Sequence, residues 1–236
     1  MKNLAIIPAR GGSTRIPRKN IRLFHGKPLI AYTIEQAQQS KLFDRIIVDT
    51  DSSEIADISK KYGAEVPFLR PKHLAGTTSK VRDAVFHLLR RLAKEDYIPD
   101  IITLLQTTSP LREPQDIKAC ALMMRKPGIS SVCTVCETSP WFYYVDADHT
   151  LSLVNKKNQK STNTQESRRG YILNGCMVYM ITTKEFLKTK KFVNQDTRAI
   201  ICPKWRSVDV DTEEDWVLAE VLYANKKKIN AKLAKN

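Results

Sequence analysis

From residue 4 onward the sequence alternates short apolar runs with longer amphipathic ones, and this alternation restricts the fold more than any single residue. Leu4 to Pro8 reads as a strand, "PLIAYTIEQAQQS" from Pro28 as a helix with proline in its first turn, and "RIIVDT" from Arg45 as a second strand. "SSEIADISKKYG" opens at Ser52/Ser53 as cap, carries Ile55 and Ile58 at helical spacing and stops at Gly63. "KVRDAVFHLLRRLAKE" puts Val81, Val85, Leu88, Leu89 and Leu92 on one side of a helix. The continuous apolar run "IITLLQ", Ile101 to Gln106, is what a strand covered on both faces requires. Helix, strand and helix follow at "EPQDIKACALMM", "SSVCTV" and "TEEDWVLAEVLYA". The pattern predicts an α/β fold, a mostly parallel twisted sheet sandwiched by helices.

Ligands of such sheets sit beyond the carboxyl ends of the strands. That rule gathers three segments on one rim: the Arg10–Asn20 loop, Asp49–Ser52 and Gln106–Arg112. Residues 138–171 interrupt the alternation with Trp141, Phe142, Tyr143 and Tyr144 followed by "NKKNQKSTNTQES", as an inserted arm would. With 236 residues the expectation is one domain, residues 1–225, followed by a solvated basic tail, residues 226–236.

No apolar run approaches the ~20 residues of a membrane span, and the N-terminus lacks a secretory signal, so a cytoplasmic protein with no membrane partner is expected. The five cysteines are odd in number and scattered through apolar runs, as reduced core thiols are. Cys133 and Cys136 form a C-x-x-C, but their odd offset points them to opposite faces of a strand and no second pair follows, which argues against zinc.

The formal charge of +14 is unevenly spread: seven Lys/Arg and no acid lie between Met1 and Ile34, and five more Lys between Lys226 and Lys235. In "IIPARGGSTRIPRKNI" the Gly11-Gly12 pair lets the backbone approach a ligand while Arg10, Arg15 and Lys19 can neutralise a polyphosphate. It is neither a Walker loop nor a G-x-G-x-x-G. In "SVDVDTEED", Asp209 and Asp211 stand two apart in an extended stretch, so both carboxylates face one way and can share a hard cation such as Mg2+. The same segment reads equally as a helix start, with Asp211 or Thr212 as cap. "LLQTTSPLR" offers an amide, Gln106, and hydroxyls at a strand end, where a base edge can be read or a helix capped. None of the four histidines has a nucleophile or a metal-spaced partner nearby.

In order along residues 3–222, "IPARGGSxRIPRKN", "GKPLIAYTI", "FDRIIVDTDSSEIA", "KYGAEVPFLRP", "LLQTTSPLR", "NGCMVY" and "DVDTEEDW" resemble the CMP-sialic acid synthetase (acylneuraminate cytidylyltransferase) family, with its CMP-legionaminic and CMP-pseudaminic acid members. The resemblance implies a nucleotide-diphospho-sugar transferase fold of Rossmann-like type, Mg2+ with CTP as co-substrate, and a homodimer whose inserted arm makes the subunit contact. It implies nucleotide binding by Arg10, Gly11, Ser13, Arg15, Lys19, Asn20, Arg70 and Gln106, sugar binding by Gln106, Arg168, Arg169, Asn174 and Tyr179, and metal binding by Asp209 and Asp211. Arg10, Lys19 and Asp211 would be catalytic. The chain departs from the family at Thr14-Arg15, where Lys is common, at Thr77, where Asp is frequent, and in "TQESRRGYILNG".

The reaction implied joins CTP to an acidic nine-carbon sugar, N-acetylneuraminic or legionaminic acid first, pseudaminic acid second and Kdo a distant third. The rival reading, a nucleic-acid-binding protein, accounts for the charge but has no recognition helix, RNA-binding aromatic motif or zinc finger to support it.

Overall fold

A computed structural model describes residues 1–154, 169–175 and 177–234. Arg168, Cys176 and the middle of the expected arm lie outside the described residues. The chain begins with β1 (Asn3–Pro8), whose two-residue period sends Ala5 and Ile7 into one apolar cluster and Leu4 and Ile6 into another. A short hairpin, β2 (Leu23–Phe24) with β3 (Lys27–Pro28), leads into α1 (Leu29–Ser40). Pro28 is the residue before that helix rather than in its first turn. Then come β4 (Arg45–Asp49), α2 (Ser53–Lys61), α3 (Val81–Ala93), β5 (Ile101–Leu104) and α4 (Pro114–Met124). The Ser52 hydroxyl caps α2 by accepting from the Ile55 N–H.

The second half comprises β6 (Ser131–Thr138), an exposed hairpin of β7 (Tyr143–Val145) and β8 (Leu151–Leu153), then β9 (Gly170–Leu173) and β10 (Tyr179–Thr182). It closes with α5 (Thr183–Thr189), β11 (Arg198–Cys202), α6 (Glu213–Ala224) and α7 (Lys226–Leu233). The main sheet runs β11-β6-β10-β5-β1-β4 with β9 also on β6. Its β1, β4, β5, β6 and β11 share one direction, while β9 and β10 run against them, so the sheet is mixed but mostly parallel.

One face of the sheet is covered by α1 and α4, through Ile30, Ile34, Ile117 and Met124. The other is covered by α3 and α5, through Val85, Leu88, Leu92 and Phe186. A third cluster packs Ile16, Phe24 and Leu29 against Val210, Trp216 and Ala219, and so locks the basic N-terminal loop to the segment that starts α6. The expected solvated tail is a helix, α7, as its Lys, Ala and Leu content favours. Among the described residues no helix is long and apolar enough to cross a membrane. Cys133 and Cys136 are both buried in β6.

β9 and β10 lie along the same edge of β6: Leu173 pairs with Val135 and Tyr179 with Cys133. The strand edge bulges between them, and both Asn174 and Val178 bond Thr134, whose hydroxyl accepts from the Val178 N–H at 3.0 Å and donates to Asn174 Oδ1 at 2.8 Å.

Candidate active site

The three segments expected on one rim do meet at the carboxyl ends of β1, β4 and β5. The Ala9 N–H donates to the Asp49 carbonyl oxygen, the Gly11 N–H to Asp51 Oδ1, and the Thr107 hydroxyl to Asn20 Oδ1 at 2.7 Å. A cavity of about 260 Å3 opens between the N-terminal loop, residues 106–108, Arg70, the 74–81 stretch and Asp211; the Asp49–Ser52 segment does not line it. Arg10, Ser13, Arg15, Lys19, Asn20, Arg70, Gln106 and Asp211 all line it.

Within that cavity the basic loop meets the acidic segment directly. Arg15 Nη2 and Lys19 Nζ each donate to the Asp211 carboxylate at 3.1 Å, and Lys19 also donates to the Val210 carbonyl oxygen at 2.8 Å. Arg15 is largely exposed, its side chain 65% accessible, whereas that of Lys19 is 14% accessible. Arg10 Nη1 donates to the Gly76 carbonyl oxygen at 2.8 Å and ties the 72–80 loop to the N-terminal loop at the cavity. That loop supplies Leu74, Gly76, Thr77 and Ser79, of which the sequence marked only Thr77. "HLAGTTS" carries small and hydroxyl residues but no charge or spacing to set it apart from an ordinary turn.

Arg70 is buried, donates to the Asp49 carbonyl oxygen at 2.7 Å, and lies 2.8 Å from Asp49 Oδ2. Burial pushes the Asp49 carboxyl above its ordinary value, and Arg70 only partly offsets that. Asn20 uses its amide within the protein, donating to the Arg10 carbonyl oxygen at 2.9 Å and accepting from Thr107, so it holds the loop to the end of β5.

Not every expected residue lines the cavity. Gly11 does not; a Cβ there would lie 3.2 Å from Ser52 Cβ, so its glycine serves the close approach of two loops. Asp209, the residue before buried Val210, is half-buried and does not line the cavity either; its Oδ1 is buried and without a hydrogen-bond partner. Burial pushes its carboxyl up, a bond from Thr108 pulls it down, and Asp211 pushes it up again. Asn174 is 2% exposed, and its amide is engaged with Thr134, Met177 and Ser207. Tyr179 packs against Phe192, and Arg169 lies 3.7 Å from Glu137 on the exposed β9 side; neither lines the cavity.

Behind the aspartates, Arg206 and Asp116 form a buried bidentate pair at 2.5 and 3.0 Å. It fixes the 3-10 turn Lys204–Arg206 from which the Ser207–Asp211 segment departs. Sequence reasoning missed this pair because its members are 90 positions apart.

A family model described as cytidylyltransferase matches residues 4–227. The CMP-N,N'-diacetyllegionaminic acid synthase of Legionella pneumophila is 39% identical over 94% of this chain and 96% of its own length. A pseudaminic acid cytidylyltransferase of Campylobacter jejuni is 34% identical over 94% of this chain and 97% of its own. In fold the chain is similar to a solved CMP:2-keto-3-deoxy-manno-octonic acid synthetase complexed with CTP, with a TM-score of 0.71 at 17% identity, covering 96% of this chain and 100% of that one. With one family model spanning nearly the whole sequence and two relatives at 39% and 34% identity, the chain belongs to the cytidylyltransferase family.

Proposed function

We propose that the chain joins CTP to an acidic nine-carbon sugar and releases pyrophosphate, with N-acetylneuraminic or legionaminic acid as the first-ranked sugar and pseudaminic acid as the second. The observation that carries this reading is the convergence of Arg15, Lys19 and Asp211 on one cavity at the carboxyl ends of the strands. The legionaminic acid relative at 39% identity, against 34% for the pseudaminic acid one, favours legionaminic acid within that ranking.

In this reading Arg10, Arg15 and Lys19 neutralise the triphosphate, while Gly11, Ser13, Asn20, Arg70 and Gln106 shape and hold the nucleotide side of the cleft. Arg15 and Lys19 exchange the Asp211 carboxylate for phosphate oxygens as CTP enters, so their charge is already in place when the reaction begins. The anomeric hydroxyl attacks the α-phosphorus in line: its bond to phosphorus forms, its proton passes to water or to the Asp211 carboxylate, and the bond to pyrophosphate breaks. Positioning and charge stabilisation supply most of the acceleration. Arg168, Arg169, Asn174 and Tyr179 belong to the sugar side by family resemblance; of these, Asn174 has its amide committed within the protein.

Asp209 and Asp211 would hold Mg2+, which when bound would neutralise charge on the phosphate oxygens. The donor set fits: two carboxylates two residues apart, one with a buried oxygen that no protein donor satisfies, suit an ion that takes few protein ligands and completes its shell from phosphate and water. A second copy of the chain is proposed to cover the exposed apolar residues Tyr143, Tyr144, Val145 and Leu151 of the hairpin and Tyr171, Ile172 and Leu173 of β9. Light scattering after gel filtration reads that directly, and a monomer at micromolar concentration overturns it.

The function is tested by incubating the protein with CTP, Mg2+ and N-acetylneuraminic, legionaminic or pseudaminic acid, or Kdo, and measuring pyrophosphate release, with ATP and UTP as controls. Release with CTP and a nine-carbon acid is expected. Silence with every sugar, together with tight salt-sensitive binding to DNA or RNA, would transfer the basic surface to nucleic-acid recognition.

A further inference from the structure

We propose that Asn174 and Gly175 are positioning residues that seat Asp209, so that the bulge between β9 and β10 sets the placement of one metal-binding carboxylate. This rests on the magnesium reading of Asp209 given above. Gly175 has φ +64, a left-handed conformation that a side chain disfavours. A Cβ at this position would fall 2.4 Å from Asp209 Cγ, 2.5 Å from its Cβ and 2.6 Å from its Oδ1. The space that position 175 leaves open is thus the space that the Asp209 side chain fills. A methyl group there forces the carboxylate to move, because the Val210 N–H is fixed to the Thr108 carbonyl oxygen at 2.8 Å and the backbone cannot follow freely.

Asn174 secures the same relationship from the other end of the segment. Its Oδ1 accepts from Thr134 on β6, and its Nδ2 donates to Ser207 Oγ at 3.1 Å, two residues before Asp209. The Gly175 carbonyl oxygen accepts from Ser109 Oγ at 3.2 Å, which ties the bulge to the loop after β5. Sheet, bulge and aspartate segment are therefore joined by bonds from both ends of the buried Asn174 amide. A bulge interrupts the strand ladder locally, and here it brings a glycine into contact with a carboxylate. Outer groups that orient a ligand are worth roughly 10- to 100-fold in metal affinity.

The test compares CTP binding calorimetrically in EDTA and in saturating Mg2+, without sugar, for wild type, Gly175→Ala, Asp209→Ala and the double variant. Wild type is expected to bind CTP more tightly with Mg2+. Gly175→Ala is expected to lose about tenfold of that enhancement while its affinity in EDTA stays within about twofold. In the Asp209→Ala background the same substitution should add nothing. Ser207→Ala, which removes the Asn174 anchor together with a bond to the Pro203 carbonyl oxygen, should shift the enhancement in the same direction by less, and it guards against misfolding of the glycine variant. A Gly175→Ala protein with the full Mg2+ enhancement, beside an Asp209→Ala protein that has lost it, overturns the seat alone. An Asp209→Ala protein that keeps the enhancement overturns the metal assignment, and the seat with it. A lowered melting temperature with unchanged enhancement reduces both residues to fold maintenance and likewise overturns the proposal.

Discussion

Lys19 Nζ donates to Asp211 Oδ1 at 3.1 Å across 192 positions of sequence, and the same ammonium donates to the Val210 carbonyl oxygen. Residues from the two ends of the chain thus meet on one cavity, where the cation and the carboxylate neutralise each other. The pairing rests on apolar packing, since Ile16 and Val210 are both buried in the cluster around Trp216.

Asp211→Asn should leave the fold intact and remove turnover. Its ion pairs with Arg15 and Lys19 are partly exposed, so the loss of stability should stay within about 1 kcal/mol. The pyrophosphate-release rate should fall at least about 100-fold. Chemical denaturation and the release assay check the two halves, and undiminished turnover at saturating Mg2+ would take Asp211 out of the mechanism.

Arg15→Met and Lys19→Met should part company. Lys19 is the more buried of the two and makes two bonds, so its loss should cost stability by about 1.5–3 kcal/mol as well as weaken CTP. Arg15 is mostly exposed, so its loss should weaken CTP, flatten the salt dependence of binding and leave stability nearly unchanged. Equal unfolding midpoints for the two variants would contradict this division.

Arg206→Met removes one partner of the buried pair with Asp116 and leaves a carboxylate without its cation. The expected cost is about 3–5 kcal/mol, and Asp116→Asn should be destabilising too. Urea denaturation measures both. A change under about 1 kcal/mol would mean that the pair contributes little.

His87 is half-buried with Nε2 lacking a hydrogen-bond partner, and burial, aided by Arg91 and opposed by Asp49, lowers its pKa from the ordinary 6.5. A depressed folded-state pKa means that the unfolded chain binds the proton more readily, so this contribution is present above pH 6.5 and is lost as pH falls through the folded value. His87→Gln should flatten the acid limb of the stability curve below about 6.5. Thermal melts at stepped pH read it, and parallel curves for wild type and variant would refute it.

Much of the site could be read from the sequence because its parts are local. The basic loop after β1, Asp211 and Gln106 stand at strand ends or helix starts that periodicity and capping residues reveal. The Arg10 contact with Gly76, the 72–80 wall and the Arg206–Asp116 pair were not legible. Each joins segments whose own patterns carry no trace of the partner.

By itself, then, the sequence determined the alternating elements, the caps such as Ser52, and the charges that each loop carries, because these depend on neighbours within one or two turns of chain. Only the tertiary structure decided that β9 and β10 run against the sheet, that Asn174 is buried between them, and that Gly175 makes room for Asp209. Those outcomes depend on which distant surfaces exclude water from one another, and burial of Ile16 against Val210 is a property of the packed molecule that neither segment expresses alone.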